Sequence, residues 1–201
     1  MGDKLFLASS NPGKLNEYRT LGHDCAGSAA AKLELVPGFD DFPAFEEEAP
    51  TFSENALGKA LHYSRLGGGL VFADDSGLVV PVLGGAPGVH SARYAGPGAA
   101  SEPRIVKLLQ EMRGKTGIER GAYFVCAIAL ADNGQARAIV TVRTNGTILE
   151  APRGGGGFGY DPVFYFPELK KSFAELTTEE KNLYSHRGKA FRRLLQTLKP
   201  Q

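Results

Sequence analysis

The chain has 201 residues, with 23 Lys+Arg against 22 Asp+Glu and a formal net charge of +1, so it lacks the basic excess of a non-specific binder of nucleic-acid polymers. No apolar run approaches the ~18 residues of a membrane span, and the N-terminal stretch has no signal-peptide core, so a soluble cytoplasmic protein without a membrane partner is expected. Two cysteines, Cys25 and Cys126, are too few for a disulfide framework and lack zinc-ligand spacing, while the length suits one domain, or two intimate lobes, with a substantial core.

The first element is an apolar strand near residues 4–9. A helical pattern near 12–21 follows, with Leu15, Tyr18 and Leu21 at helical spacing. The turn that joins them is Ser9, Ser10, Asn11, Pro12, Gly13 and Lys14. Asn11 suits the N-cap and Pro12 the first helical position. Backbone N–H groups, two hydroxyls and an ammonium then face one point. That reads either as a phosphate site or as an ordinary capped helix with a solvated lysine. It is not a Walker A loop, because Ala8 stands where the first glycine belongs and Leu15 where Ser or Thr would ligate magnesium. A metal serving a polyphosphate here must be held by carboxylates elsewhere.

A strand near 33–36 precedes the acidic run Glu46, Glu47 and Glu48. That run reads as a solvated cluster or as the source of a carboxylate completing a Mg²⁺ site with Asp75. A helix near 51–66 opens on Thr51 and Glu54 with capping-box spacing. Strands near 70–74 and 78–81 flank Asp74, Asp75, Ser76 and Gly77. These four residues read as a polar turn or as two functional acids; alternation sends Asp74 and Asp75 to opposite faces, one to bind metal or orient water and one to anchor local structure.

A helix near 102–112 leads to strands near 122–131, 137–143 and 146–150, with Asp132, Asn133 and Gly134 as a hairpin turn. Cys126 is expected in the core. Residues 154–162 contain G-x-G-x-x-G, but Pro162 and the aromatics after it do not open the helix of a dinucleotide fold. The stretch reads as glycines approaching a ligand beside an aromatic shelf, or as a loop packing core aromatics. In the first reading Phe158 or Tyr160 stacks on a base and Asp161 bonds its edge or the sugar. Lys181, His186 and Arg187 are expected together near the start of a last helix, 186–198, which buries Ala190, Phe191, Leu194, Leu195 and Leu198. Cations there oppose the helix dipole, which suggests function. His23, His62 and His90 lack metal-ligand spacing. The element order predicts a mixed α/β sheet.

With these pieces in order, the chain resembles the inosine-triphosphate pyrophosphatase family. The matching residues are 9–14, 51–56, 74–78, 83–88, 91–94, 157–162, 174–177, Glu180, Lys181 and 185–187. The resemblance implies a single domain over 1–201, built on an elongated mixed sheet flanked by helices, with two lobes around a central cleft, and a homodimer. It implies hydrolysis of ITP, dITP or XTP to the monophosphate and pyrophosphate, with Mg²⁺ as cofactor. Asp75 becomes proton acceptor and metal ligand, and Glu47 the second ligand in preference to Glu46 or Glu48. The substrate would meet Ser9, Ser10, Asn11, Pro12, Gly13, Lys14, Lys59 and Ser76. Its base would meet Phe158, Gly159, Tyr160, Asp161, Lys181, His186 and Arg187.

Two segments depart from the family pattern. The acidic run continues as Glu48, Ala49 and Pro50, without the usual small polar residue and glycine. Residues 97–104 replace an acidic helix entry containing asparagine. Two rivals stand beside this reading. Maf-like pyrophosphatases carry arginines where this chain has Asn11 to Lys14, and a nucleotide sensor would have no need of Asp75 and the acidic run.

Overall fold

A computed structural model of the chain describes residues 4–24 and 33–198; Cys25 lies outside them. Among the described residues one seven-stranded sheet runs in the order β2-β1-β3-β4-β5-β6-β7. The strands are β1 (Leu5–Ala8), β2 (Glu34–Leu35), β3 (Leu70–Val79), β4 (Gly121–Asp132), β5 (Gln135–Ile148), β6 (Phe164–Phe166) and β7 (Lys171–Ser172). β1 pairs in parallel with β2 and β3, whereas β6 is antiparallel to β5 and β7. The expected mixed α/β class is therefore found. The helices are α1 (Pro12–Asp24), α2 (Phe52–Gly67), α3 (Ser101–Glu111), α4 (Thr178–Tyr184) and α5 (His186–Thr197). None is long and apolar enough to cross a membrane.

The chain divides into two compact units. One comprises residues 1–75, 126–142 and 187–201; the other comprises 76–125 and 143–186. In the first unit, alternation gives the sheet two chemically different faces. Leu5, Leu7, Phe72, Cys126, Ile128 and Leu130 pack with Tyr18 and Leu21 of α1 and with Ala190, Phe191, Leu194 and Leu195 of α5. Ala8, Val71, Ala73, Ala127, Ala129 and Ala131 pack with Ala56, Ala60 and Tyr63 of α2. Bulky residues fill one side and small ones let α2 approach the other. At the β4–β5 hairpin Asn133 (φ 49°) and Gly134 (φ 79°) both take the left-handed conformation of a tight turn.

The second unit has its own core. Leu78, Val80, Phe124, Ile148, Tyr160 and Phe164 pack with Ile105 and Leu108 of α3 and with Phe173.

Three expectations are corrected. The segments 70–74 and 78–81 are one strand, β3, so Asp74 to Gly77 is no turn. The acids remain in the strand because each finds polar partners, described below. Gly77 remains because only hydrogen fits, since a Cβ there would meet Ser91 Oγ and lie 2.6 Å from the Gly88 carbonyl oxygen. The segments 137–143 and 146–150 likewise form one strand, β5. Strands β6 and β7 and helix α4 were not anticipated, as elements of three, two and seven residues carry too little periodicity.

Gly77→Ala is expected to destabilise the protein by about 1–3 kcal/mol through this overlap. The overlap also disturbs the 2.9 Å bond from the Leu78 N–H to Ser91 Oγ. An unchanged urea midpoint would contradict the packing argument.

Candidate active site

Strand alternation decides what each adjacent acid meets. Asp74 follows Phe72 by two residues and leaves β3 on the bulky face, towards α1 and α5. There its Oδ2 lies 3.1 Å from Lys14 Nζ, 3.7 Å from Arg187 Nε and 4.0 Å from Cys126 Sγ. The carboxylate is fully buried. Burial pushes its pKa upward, yet Lys14, Arg187 and Lys59 prevail and hold it at about 2. Arg187 also pairs with Glu17 of α1. Burial favours the neutral guanidine, but Glu17 and Asp74 more than reverse this and raise the Arg187 pKa. Those two carboxylates also offset the cost of a cation in the first turn of α5.

Asp75 follows Ala73 by two residues and lies on the α2 side. Asn55 Nδ2 donates to Asp75 Oδ2 at 3.0 Å, while Asn55 Oδ1 accepts the Ala49 N–H at 2.9 Å. One turn along α2, Lys59 pairs with Glu47. Burial lowers the Lys59 pKa, but Glu47, Asp74 and Asp75 prevail and raise it. Asp75 shifts the other way from Asp74. Burial raises its pKa; Lys14, Asn55 and Lys59 oppose that and Glu47 adds to it, leaving the group at about 6. Two neighbouring acids thus have opposite electrostatics.

The turn at residues 9–14 caps α1 as expected, with Asn11 Oδ1 accepting the Lys14 N–H at 3.1 Å. Ser9 Oγ accepts the Asn11 N–H at 3.3 Å. Two of the N–H groups expected to face an anion are therefore used within the turn, and the Lys14 ammonium faces Asp74. Ser10, Asn11 and Pro12 are exposed, while Gly13 and Lys14 are half-buried.

The donor set suits a divalent cation with hard oxygen ligands. Lys14, Lys59 and Arg187 face Glu17, Glu47, Asp74 and Asp75, so the ionised group carries one more negative charge than positive. Glu47 is half-buried and acts electrostatically on Asp75, whereas Glu46 and Glu48 are exposed. Among the described residues no group of three or more His, Cys, Asp or Glu could hold a metal. Two carboxylates are enough for Mg²⁺, which takes water and phosphate oxygens as its other ligands.

In the second unit, residues 157–161 form a tethered turn. Asp161 Oδ2 accepts the Phe158 N–H at 2.8 Å and pairs with Lys181 Nζ at 2.6 Å. Tyr160 is buried and donates its hydroxyl to the Ser91 carbonyl at 3.0 Å. Of the two shelf candidates Tyr160 is therefore a core residue, and Phe158 remains, with the Lys181 ammonium 5.1 Å from its ring centroid. Asp161 shapes the turn instead of extending from it. Ser76 lies half-buried on β3.

Lys181, His186 and Arg187, expected together, each have partners of their own. Lys181 sits in the last turn of α4, where the dipole favours a cation, and turns to Asp161. His186 is buried, stacked 4.6 Å from Phe124, and Arg187 turns to Asp74 and Glu17.

A family model described as the Ham1 family matches residues 5–197. The chain belongs to the Ham1 family. Among curated relatives, the dITP/XTP pyrophosphatase of Geobacillus kaustophilus is 47% identical over 191 residues, covering 95% of this chain and 92% of the relative. That of Thermus thermophilus is 49% identical over 199 residues, covering 98% and 93%. Among solved structures, a HAM1 protein from Coxiella burnetii superposes with a TM-score of 0.85 at 41% identity, covering 98% of both chains. The Ham1 protein of Staphylococcus aureus gives 0.83 at 35% identity, covering 97% of both.

Sequence reading assigned no role in this Ham1 chain to Asn55, Glu17 or Ser101. Asn55 was findable, because it lies on the same α2 stripe as Ala56, Lys59, Ala60 and Tyr63, all buried. A polar residue on an apolar stripe needs a partner. Glu17 carries no comparable signal, since its partner lies 170 residues away.

Proposed function

We propose that this protein is a nucleoside-triphosphate pyrophosphatase that converts ITP, dITP or XTP and water to the monophosphate and pyrophosphate, clearing deaminated purines from the nucleotide pool. The observation that carries this reading is the placement of two adjacent acids on opposite faces of β3, Asp74 against Lys14 and Arg187, and Asp75 against Asn55 with the Lys59–Glu47 pair one turn along α2. Asp74 acts as a fixed anion that holds Lys14 and Arg187. Asp75 is a stronger base than an ordinary carboxylate and is still ionised at neutral pH. The names of the relatives, dITP/XTP pyrophosphatase, support the same reaction.

Glu47 and Asp75 would hold Mg²⁺, which when bound neutralises phosphate charge and makes a coordinated water more acidic. Asp75 orients the attacking water and takes its proton on a carboxylate oxygen, while Asn55 fixes the direction of that carboxylate. Lys14 and Lys59 neutralise phosphate oxygens, assisted by Ser9, Ser10, Asn11, Pro12 and Gly13 of the α1 turn and by Ser76. The ring of Phe158 stacks on the purine within the turn formed by Gly159, Tyr160 and Asp161. Lys181, His186 and Arg187 donate to acceptors, so a 6-keto oxygen is favoured over the 6-amino group of adenine. A base that leaves such donors unpaired is rejected by up to ~10⁴-fold. The reading takes residues 1–201 as one functional domain of a cytoplasmic homodimer, with no nucleic-acid polymer or membrane as partner.

Pyrophosphate release from ITP, XTP, dTTP, ATP and GTP, each with and without Mg²⁺, tests this. Release from ITP and XTP in Mg²⁺ alone is expected. Preference for dTTP favours the Maf-like reading, and no release from any substrate favours a sensor. Phe158→Ala should raise KM for ITP about tenfold through lost stacking, with kcat little changed. An unchanged KM would remove Phe158 from base recognition.

A further inference from the structure

Four side chains tether the turn that carries Phe158, and one belongs to a segment with no assigned role. Asp161, Lys181 and Tyr160 hold it from within and below. Ser101, the first residue of α3, holds it from the side, with Oγ accepting the Gly159 N–H at 3.1 Å. Gly159 has φ 63°, and a Cβ there would meet nothing within 4 Å. The glycine therefore serves the left-handed conformation, which aims its N–H, and not close packing. Ser101 is itself held. Arg104 Nη2 donates to Ser101 Oγ at 3.3 Å, and Arg104 Nε donates to the Ala100 carbonyl at 3.0 Å. One hydroxyl oxygen thus accepts from both sides, joining the start of α3 to the residue after Phe158. Ser101 and Arg104 both lie in residues 97–104, where this chain departs from the family pattern.

We propose that Ser101 is a positioning residue for base recognition, holding Phe158 in register through the Gly159 N–H. The inference rests on the reading that this turn binds the purine. Tyr160 and Asp161 are buried and their loss disturbs the core, whereas Ser101 is half-buried at a helix end. Losing its hydroxyl should loosen the turn and leave the second unit folded. A looser Phe158 weakens binding of the base without touching the water or the phosphates, so KM moves and kcat does not.

The test compares Ser101→Val with Ser101→Thr, which have the same shape but differ in the hydroxyl. With ITP and Mg²⁺, S101V is expected to raise KM about three- to tenfold at unchanged kcat, the scale of one hydrogen bond, and S101T to stay near wild type. Equal KM values for the two variants, or a fall in kcat alone, overturn the proposal. Hydrogen exchange on the ligand-free wild type supplies an arm that needs no variant. The Gly159 amide is expected to exchange at least about tenfold more slowly than in a free chain, and free-chain exchange overturns the tether. A wild type that releases no pyrophosphate from ITP defeats the functional reading itself. An active wild type with indistinguishable variants defeats only the role of Ser101.

Discussion

Asp75→Asn lowers turnover of ITP by about 10²–10⁴-fold, the range for loss of a general base, while nucleotide affinity changes by no more than about threefold. The amide keeps the shape of the carboxylate and still accepts from Asn55, so the α2 contact survives and only the proton acceptor is lost. The same substitution stabilises the metal-free protein. Asp75 has a folded pKa near 6 against an ordinary value of 3.8, so the folded state binds its proton more tightly than the unfolded state does. The stability this provides is full below about pH 4 and is lost as pH rises towards 6, a loss on the order of 1–3 kcal/mol. Asn at position 75 has no proton to lose, so above pH 6 the variant should melt higher than wild type. Saturating Mg²⁺ should narrow that difference by stabilising wild type more. Near wild-type turnover would overturn the assignment of Asp75. A variant less stable than wild type at pH 7.5 would overturn the electrostatic account.

Asp74→Ala is expected to destabilise the protein by about 3–5 kcal/mol, as befits removal of one partner from a buried charge group. Lys14 and Arg187 would be left facing each other around a cavity, with side chains only 12% and 4% exposed. Their mutual repulsion should also displace Lys14 from the α1 turn, so activity falls even where the protein stays folded. The pH dependence runs opposite to that of Asp75. With a folded pKa near 2, Asp74 contributes stability that is present above about pH 4 and lost as pH falls towards 2. Asp74→Asn should abolish that acid-side loss in urea titrations between pH 2 and 4. A D74A midpoint within about 0.5 kcal/mol of wild type would mean the pair contributes no more than a surface ion pair.

Much of this site could be read along the chain because the relevant signals are local. The N-cap at Asn11, the start of α2 at Thr51 and the hairpin at Asn133 and Gly134 each depend on a few neighbouring residues. The last helix showed its buried face at 190, 191, 194 and 195, all of which are in the core. The conclusion that Asp74 and Asp75 do different work needed only the period of a strand. The polar turn at 74–77 failed because two acids and a glycine look like a strand break until their partners are known.

The sequence by itself determined the types of the longer elements, the caps of α1 and α2, the separation of the two acids onto opposite faces and the family resemblance that points to nucleotide hydrolysis. Only the tertiary structure decided which acid becomes the anchor and which the base. The bulky face of β3 meets α1 and α5, and their first turns bring Lys14 and Arg187 to Asp74. The alanine face admits α2, which brings Asn55 to Asp75 and sets Lys59 against Glu47. Lys14 stands 60 residues from Asp74 in the chain. At that separation packing, and no local preference, selects the partner, and the partners set the two pKa values.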